Sequence, residues 1–550
     1  MHAFIEELKE HITKGIGKEE LSRIKTKLTK KHGLANVPTD SELIMQGVAL
    51  VSKPVRTLSG VAPLALMSMP FACPHGKCIY CPGGPGSAFG DVPQSYTGKE
   101  PSTLRGIRNH FDPYLIVFNR LEQFIVNGHL PDKTEIIVQG GTFPAMPLEY
   151  QQDFITYALK AMNDFGEKFV TPAVDLKKIA EFFELPGEIG SPDRTKKIHE
   201  KELALKQTST LETEQQRNES SAIRCVALCI ETKPDWCLEP HINNMLRLGT
   251  TRIEMGVQCL RADVMKLTNR GHDLKDVVKA TQLMRNSLLK VGYHMMPGLP
   301  GMNAQKDRED YEELFANPAY RPDALKIYPT TVMKGTGLFG IWKIGKYTPL
   351  TTEEAADIIV EAKKHIPKWC RIMRVQRDIP STVIDAGPNM TNLRQLVEKK
   401  LQERGIKCKC IRCREPRDKQ IDWNAVKMLR EDYDASGGTE VFLSFEDTAN
   451  DLLLGFCRLR IIPESHRSEI QGKCAGIREL HVYGRAVAIG GEGEVQHRGL
   501  GKKLMAEAER IAREEFKCEK MLVISGIGVR EYYYKQGYKL DGPYVSKQIQ

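Results

Sequence analysis

The sequence predicts an α/β fold made of two successive units, and three observations carry that prediction. Short apolar strands at 135–139, 225–230, 252–257, 292–296 and 324–328 alternate with helical stretches such as 240–248 and 274–289. Repeated strand–helix units build a parallel sheet, as a barrel or doubly wound. Gly140-Gly141-Thr142, Glu231 and Gln258 sit at the carboxyl ends of these strands, where such folds gather functional groups. Beyond about residue 420 the pattern changes to a strand at 477–482, a glycine loop at 496–502, an amphipathic helix at 503–516 and a strand at 521–525.

Length and composition set the frame. A chain of 550 residues is expected to form two or three domains. Its 41% hydrophobic and 27% charged content suits a soluble globular protein. The start has no apolar signal core and no run approaches a membrane span, so a cytoplasmic protein without a membrane partner is expected. Fourteen cysteines then suggest reduced thiols and metal ligation. A net charge of +9 permits a nucleic-acid partner without requiring one.

Residues 1–60 read as a basic helical extension. Leu21, Ile24 and Leu28 have helical spacing, and Arg23, Lys25, Lys27, Lys30 and Lys31 crowd the same segment. Such a cluster can neutralise RNA phosphates, and a solvated helix face is the equal alternative. Next comes Cys73-Pro-His-Gly-Lys-Cys78-Ile-Tyr-Cys81-Pro-Gly-Gly84. Three close thiolates suit zinc or an iron–sulfur cluster. Zinc usually takes a fourth protein ligand, and no fourth cysteine is near. The loop resembles the cluster loop of radical-SAM enzymes, with Tyr80 before the third cysteine, although four residues rather than the usual three separate Cys73 from Cys78. That resemblance implies a [4Fe–4S] cluster with one iron open to S-adenosylmethionine. It also makes Gly140, Gly141, Glu231 and Gln258 cofactor contacts.

Residues 186–221, with Gly187, Gly190, Pro192 and a polar run, read as an exposed insertion or flexible loop. Cys408, Cys410 and Cys413 lie among Lys and Arg at a spacing that suits structural zinc, with His365 or Cys370 as candidate fourth ligand. In the last unit, Gln496, Gly499, Leu500, Gly501 and Lys502 precede a helix. Glycines at a helix start let backbone N–H groups approach a phosphate. The loop resembles the pyrophosphate loop of GNAT acetyltransferases. Tyr532, Tyr533 and Tyr534 fall in an expected helix at 529–538, before a last strand at 542–546.

A radical-SAM unit followed by a GNAT unit resembles the Elongator catalytic-subunit family. The resemblance is carried by Cys78-Ile-Tyr-Cys-Pro-Gly-Gly-Pro85, Gln94-Ser-Tyr-Thr-Gly98, Arg374-Val-Gln-Arg-Asp-Ile-Pro380 and Glu479-Leu-His-Val-Tyr-Gly484. It implies a basic tRNA-binding extension at 1–60 and a radical-SAM partial (β/α) barrel at 61–370. A linker with zinc-binding cysteines at 371–420 and a GNAT domain at 421–550 complete the layout. It further implies that Lys133, Glu479, Leu480, His481, Val482, Leu500, Gly501, Lys502 and Tyr533 contact acetyl-CoA. Tyr533, Tyr532 and Lys133 are the catalytic candidates. The implied reaction builds 5-carboxymethyluridine at the tRNA wobble position from acetyl-CoA by radical chemistry. Two other classes stay open: a protein (histone) lysine acetyltransferase with a structural iron–sulfur domain, and a tRNA-binding assembly protein. Whether the chain acts alone or beside other Elongator-like subunits is also open.

Overall fold

A computed structural model describes residues 1–13, 17–52, 60–187, 191–417, 419–483 and 499–549. Seven strands form the first sheet: β1 (Ala62–Met67), β2 (Lys133–Gln139), β3 (Arg224–Thr232), β4 (Arg252–Gln258), β5 (Lys290–Met295), β6 (Ala324–Ile327) and β7 (Arg371–Arg374). They pair in chain order and all in parallel. The sheet is therefore an open, partial barrel with β1 and β7 at its edges. Helices such as Pro113–Val126, Leu148–Phe169 and Thr352–His365 supply the crossovers. Two strands escape a pattern search. β1 contains Pro63, which an edge strand tolerates, and β7 has only four residues, two of them Arg. β7 lies at the start of the segment expected to be linker.

The expected loop at 186–221 is instead largely helical. Ser191 caps Pro192–Leu205 by accepting from Arg194 N, and Thr210 caps Leu211–Glu219 by accepting from Thr213 N. Glu202, Glu214 and Asn218 point inward and are buried, while most of its other polar residues stay at the surface. Asn218 donates to the Ile223 carbonyl at 3.1 Å and accepts from Cys225 N at 2.7 Å, fixing the start of β3. A polar sequence reads as loop only while its partners are unknown.

Helices His2–Ile12, Lys18–Lys31 and Asp40–Met45 form the extension. They enclose a small core of Phe4, Leu8, Leu28, Leu43 and Val48. Ser52 N donates to the Asn127 carbonyl at 2.9 Å, just past helix Pro113–Val126. That helix end leads into β2, so the extension sits at the amino end of the barrel. Lys25 is buried and paired with Asp40 at 2.9 Å, so it is withdrawn from the expected RNA surface. Lys31 pairs with Glu7 at 2.6 Å, while Arg23, Lys27 and Lys30 are exposed.

The second sheet contains β8 (Val426–Ala435), β9 (Gly438–Asp447), β10 (Leu452–Ile461), β11 (Cys474–Val482), β12 (Lys520–Val523), β13 (Lys539–Asp541) and β14 (Tyr544–Gln548). Its order is β8-β9-β10-β11-β12-β14-β13, and only β11 and β12 run parallel. One face packs on helix Leu500–Arg510 through Leu504, Met505 and Ala508. The other face joins the barrel core through Phe442, Phe456 and Tyr544. Charge reinforces the seam. Arg478 makes two 2.7 Å bonds to Asp323 and one of 2.9 Å to Glu440, and Arg285 reaches Glu440 at 3.0 Å. Buried carboxylates and guanidiniums held this closely mark a fixed contact, because breaking one partner leaves an uncompensated charge.

Candidate active site

A pocket opens at the carboxyl ends of the barrel strands. Cys73, Cys78, Cys81, Tyr96, Gln139, Gly141, Glu231, Gln258, His294 and Arg374 line it. The three cysteines chosen from sequence thus share one cavity with Gly141, Glu231 and Gln258. Gly140 stands behind it with φ +121°, where a Cβ would lie 2.3 Å from Ser68 Oγ. Gly141 has φ +80°, and a Cβ there would lie 3.0 Å from Gln94 Cβ. Neither position admits a side chain.

Each sulfur faces a polar neighbour. Ser95 N donates to Cys81 Sγ at 3.2 Å, Arg270 Nη1 lies 3.6 Å from Cys78 Sγ, and Thr142 Oγ1 lies 3.4 Å from Cys73 Sγ. Ser95 has φ +72° and Gln258 φ +77°, an unfavourable conformation that the surrounding structure imposes on both. In the same pocket Gln139 Oε1, Thr232 Oγ1 and Gln258 Oε1 are buried without a hydrogen-bond partner. Buried polar atoms are normally satisfied, so this group is a cradle for a polar ligand. Three thiols spread around that cradle, with the cations of Arg270 and Lys233 buried beside them, fit a cluster held by three cysteines. The segments 94–98 and 374–380 supply pocket walls: Gln94 accepts from Cys81 Sγ at 3.1 Å, and Arg377 spans Tyr96 with its guanidinium 5.5 Å from the ring.

Below this pocket the barrel interior is charged, where closed (β/α) barrels favour branched apolar side chains. Arg252 Nη1 lies 2.8 Å from Glu135 Oε1, and Glu254 Oε2 lies 3.0 Å from His294 Nε2. Lys326 bridges Glu254 and Glu231, reaching the latter at 2.6 Å, and Tyr96 donates to Glu231 at 3.2 Å. Burial works against the Glu254 charge, but Lys326 and Arg252 outweigh it and hold the carboxyl well below its usual range. Sequence reading missed Ser95, Arg270, Arg252, Glu254, His294 and Lys326. The polar alternation in Arg252-Ile-Glu254-Met-Gly-Val-Gln258 was the available signal: period two in an apolar strand puts all of these on the interior face.

A second cavity, about 750 Å³, lies at the other end of the barrel. Lys133, Glu135, Arg252, Lys290 and Arg371 line it from the amino ends of β2, β4, β5 and β7. Glu479, Leu480, His481, Val482, Gly499, Gly501, Lys502, Tyr532 and Tyr533 line it from the second unit. The sheet itself opens the space. β11 and β12 pair from Cys474↔Lys520 to Ile477↔Val523, after which β10 is the partner of β11 among the described residues. That edge faces the start of helix Leu500–Arg510, whose first amides have no intrahelical carbonyl to bond. Gly499 precedes it with φ +70°. Leu500 turns its side chain into the core, and Gln496 lies outside the described residues.

The cavity's carboxylates are paired. Glu479 bonds to Lys290 and, at 2.8 Å, to Arg458. Burial raises its pKa, yet the two cations win and hold it at about 2. Burial lowers His481 to about 4, so its imidazole is neutral. Tyr532 Oη would lie 3.1 Å from a Cβ on Gly501, so the missing side chain makes room for that hydroxyl. Tyr533 is deeper, packed on Tyr532 and Tyr538 with ring centroids at 5.1 and 6.0 Å. Tyr534 turns away, its hydroxyl 3.4 Å from Glu219.

Cys408, Cys410 and Cys413 form a tighter group, with all three sulfurs within 4.8 Å of one another. Tetrahedral zinc at about 2.3 Å from each ligand places its sulfurs about 3.8 Å apart, so this group suits one ion. Lys363 Nζ occupies the fourth side, 3.3 Å from Cys408 Sγ and 3.6 Å from Cys413 Sγ. Neither His365 nor Cys370 joins the three sulfurs.

The comparisons agree with this architecture. The Radical SAM superfamily profile matches residues 187–314, the Radical_SAM C-terminal domain 322–403 and the Acetyltransferase (GNAT) family 401–538. A "tRNA uridine(34) acetyltransferase" of Methanocaldococcus infernus is 44% identical over 100% of this chain and 99% of its own. That of Methanocaldococcus jannaschii is 45% identical over 100% and 98%. The Drosophila melanogaster "Elongator complex protein 3" is 40% identical over 96% and 92%. The solved structure of the archaeal M. infernus Elp3 lacking its N-terminus (1–46) superposes with a TM-score of 0.73 at 42% identity, covering 90% of this chain and 100% of that one. Identity at this level across nearly the whole length, with both enzymatic units in the same order, shows that the chain belongs to the radical-SAM/GNAT family of tRNA uridine(34) acetyltransferases and Elongator complex protein 3.

Proposed function

We propose that the protein modifies the wobble uridine of tRNA, using acetyl-CoA and S-adenosylmethionine to form 5-carboxymethyluridine. One observation carries this reading: the two units build the lower cavity together, with Lys133, Glu135 and Arg252 of the barrel facing Glu479–Val482 and Gly501. An acetyltransferase with a merely structural barrel has no need of that wall. The names of the relatives, tRNA uridine(34) acetyltransferases, support the substrate.

In this reading Cys73, Cys78 and Cys81 hold a [4Fe–4S] cluster, and Gln139, Gly141, Glu231 and Gln258 surround S-adenosylmethionine. When bound, these groups supply the radical that an unactivated methyl requires. The first-turn amides after Gly499 take the pyrophosphate of acetyl-CoA, and the β11 edge at 479–482 takes its amide-bearing arm. Lys133 closes the barrel side of the cavity. Tyr533 or Tyr532 donates a proton to the leaving thiolate when the thioester is hydrolysed. Cys408, Cys410 and Cys413 bind structural zinc. Arg23, Lys27, Lys30 and Lys31 of the extension contact RNA phosphates. The protein acts in the cytoplasm, alone or with other subunits.

The test is reconstitution with acetyl-CoA, S-adenosylmethionine, a reductant and tRNA, followed by digestion of the tRNA and mass analysis of its nucleosides. A uridine gaining a carboxymethyl group is expected. Unchanged tRNA with acetylated histone would overturn the reading.

A further inference from the structure

The basic extension lies at the amino end of the barrel, whereas the cysteine-lined pocket opens at the carboxyl end. A single crossover helix, Pro113–Val126, spans about 20 Å at 1.5 Å per residue. RNA presenting a uridine to the upper pocket therefore needs a holding surface there, remote from Lys27 and Lys30. Residues 329–352 offer one. They include Lys334, Lys343 and Lys346 and no Asp or Glu. All three lysines are exposed, and no carboxylate among the described residues pairs with their ammonium groups. In the extension Lys25 and Lys31 are bound to Asp40 and Glu7, while Arg23, Lys27 and Lys30 are exposed as Lys334, Lys343 and Lys346 are.

The segment is tied to the cysteine loop. Leu338 N donates to the carbonyl of Ile79, between Cys78 and Cys81, at 2.7 Å. From there helix Gly337–Lys343 leads outward, with Lys343 Nζ 4.6 Å from the Trp342 ring centroid and 5.4 Å from that of Phe339. Two aromatic faces hold the ammonium in place and leave its remaining N–H groups toward solvent. Asp385 approaches the segment but accepts from the backbone N–H of Lys334, at 2.7 Å, rather than from its ammonium.

We propose that Lys334, Lys343 and Lys346 form a second RNA-binding surface, gripping phosphates of the unpaired strand that flanks the target uridine. The inference rests on the tRNA reading above. Unpaired cations beside a pocket fit a polyanion, and an RNA loop supplies both the charge and a base free to leave its stack. The extension then holds the body of the tRNA and this surface holds its loop.

The experiment compares the full tRNA with a short hairpin containing only the anticodon stem and loop. Binding of each is measured across a range of salt to wild type, K334E/K343E/K346E and K27E/K30E. The triple variant is expected to bind both RNAs at least about tenfold more weakly. Its dependence of log K on log salt should lose about 2 units of slope, near 0.7 per phosphate contact. K27E/K30E should weaken the full tRNA and spare the hairpin. Acetyl-CoA binding reports that each variant is folded. Wild-type binding with an unchanged triple variant overturns this inference alone. A wild type that binds neither RNA overturns the tRNA reading, and this inference with it.

Discussion

The two ends of the barrel hold cavities of different make. At the carboxyl end three thiols and the unpartnered side-chain oxygens of Gln139, Thr232 and Gln258 face one space, and Ser95 and Gln258 take left-handed backbone angles to build it. At the amino end the carboxylates are paired, Glu479 with Lys290 and Arg458 and Glu135 with Arg252, and the wall is shared by two units. Arg252 Nε, Arg458 Nη1 and His481 Nε2 are buried there without a hydrogen-bond partner, so this end too keeps polar atoms free for a ligand. The two cavities lie along one axis, with the Arg252–Glu254–Lys326–Glu231 series between them.

Removing a sulfur should break this comparison most severely. Cys78→Ala leaves a cluster with two protein ligands, and deoxyadenosine formation should fall by more than about a thousandfold. Iron content should fall too, while acetyl-CoA binding stays as in wild type. Retained iron and retained cleavage of S-adenosylmethionine would detach the upper pocket from radical chemistry. The converse change comes next. In Gly501→Val the new side chain presses on Tyr532 Oη, which already lies 3.1 Å from the Cβ position, and crowds the loop. Acetyl-CoA affinity should drop roughly thirtyfold by calorimetry, with iron content and cleavage of S-adenosylmethionine unchanged. Equal loss at both ends would mean that the cavities are not separable.

These two ends differ also in how far the sequence exposed them. The cysteine loop, Gly140-Gly141 and the glycine helix start stand out by residue type, so Cys73, Cys78, Cys81, Gly499 and Gly501 could be singled out as candidates, and each lines one of the two cavities. Repeated apolar strands gave five of the seven barrel strands. What stayed hidden depends on pairing across the chain. Arg270 becomes a neighbour of Cys78 only after a 192-residue separation is folded away. Lys326 and Glu254 look like surface residues until the strands curl and turn them inward. Residues 191–219 looked solvated because their partners, such as Glu219 with Arg530 at 2.9 Å, lie in other elements. Lys25 looked free for the same reason.

A smaller effect distinguishes two neighbours inside the lower cavity. Tyr533→Phe removes only a hydroxyl from a ring held by Tyr532 and Tyr538, so folding should persist. Thioester hydrolysis in the presence of tRNA should slow by about tenfold, less than the usual loss of one general acid because the neighbouring Tyr532 hydroxyl and water remain as donors. Tyr532→Phe, the neighbouring ring in the same cavity, gives the control. If Tyr533→Phe hydrolyses at the wild-type rate and Tyr532→Phe does not, the proton donor is the half-exposed tyrosine.

The smallest expected effect is the lower cavity's share of the pH dependence of stability, read as the difference between wild type and variants of its own groups because other partly buried histidines such as His75 are lowered too. Burial lowers His481 to about 4, against about 6.5 for an unfolded histidine. As pH falls below about 6.5 the unfolded chain takes up a proton that the folded chain refuses. Stability therefore declines from about pH 6.5 until the folded imidazole also titrates near 4. Glu479 acts lower on the scale. Its carboxyl is held at about 2, so its contribution is present above the usual carboxylate range and is lost as pH falls toward that value. The two windows meet near pH 4, and urea midpoints at pH 7, 4 and 2.5 resolve them. His481→Phe should shrink the step between pH 7 and 4 and leave most of the step between 4 and 2.5. Glu479→Gln should do the reverse, while costing stability at pH 7 because Lys290 and Arg458 lose their counter-charge. If His481→Phe leaves the upper step intact, the imidazole is hydrated in solution, and the cavity is wetter at its β11 wall than its packing on Phe456 and Tyr483 implies.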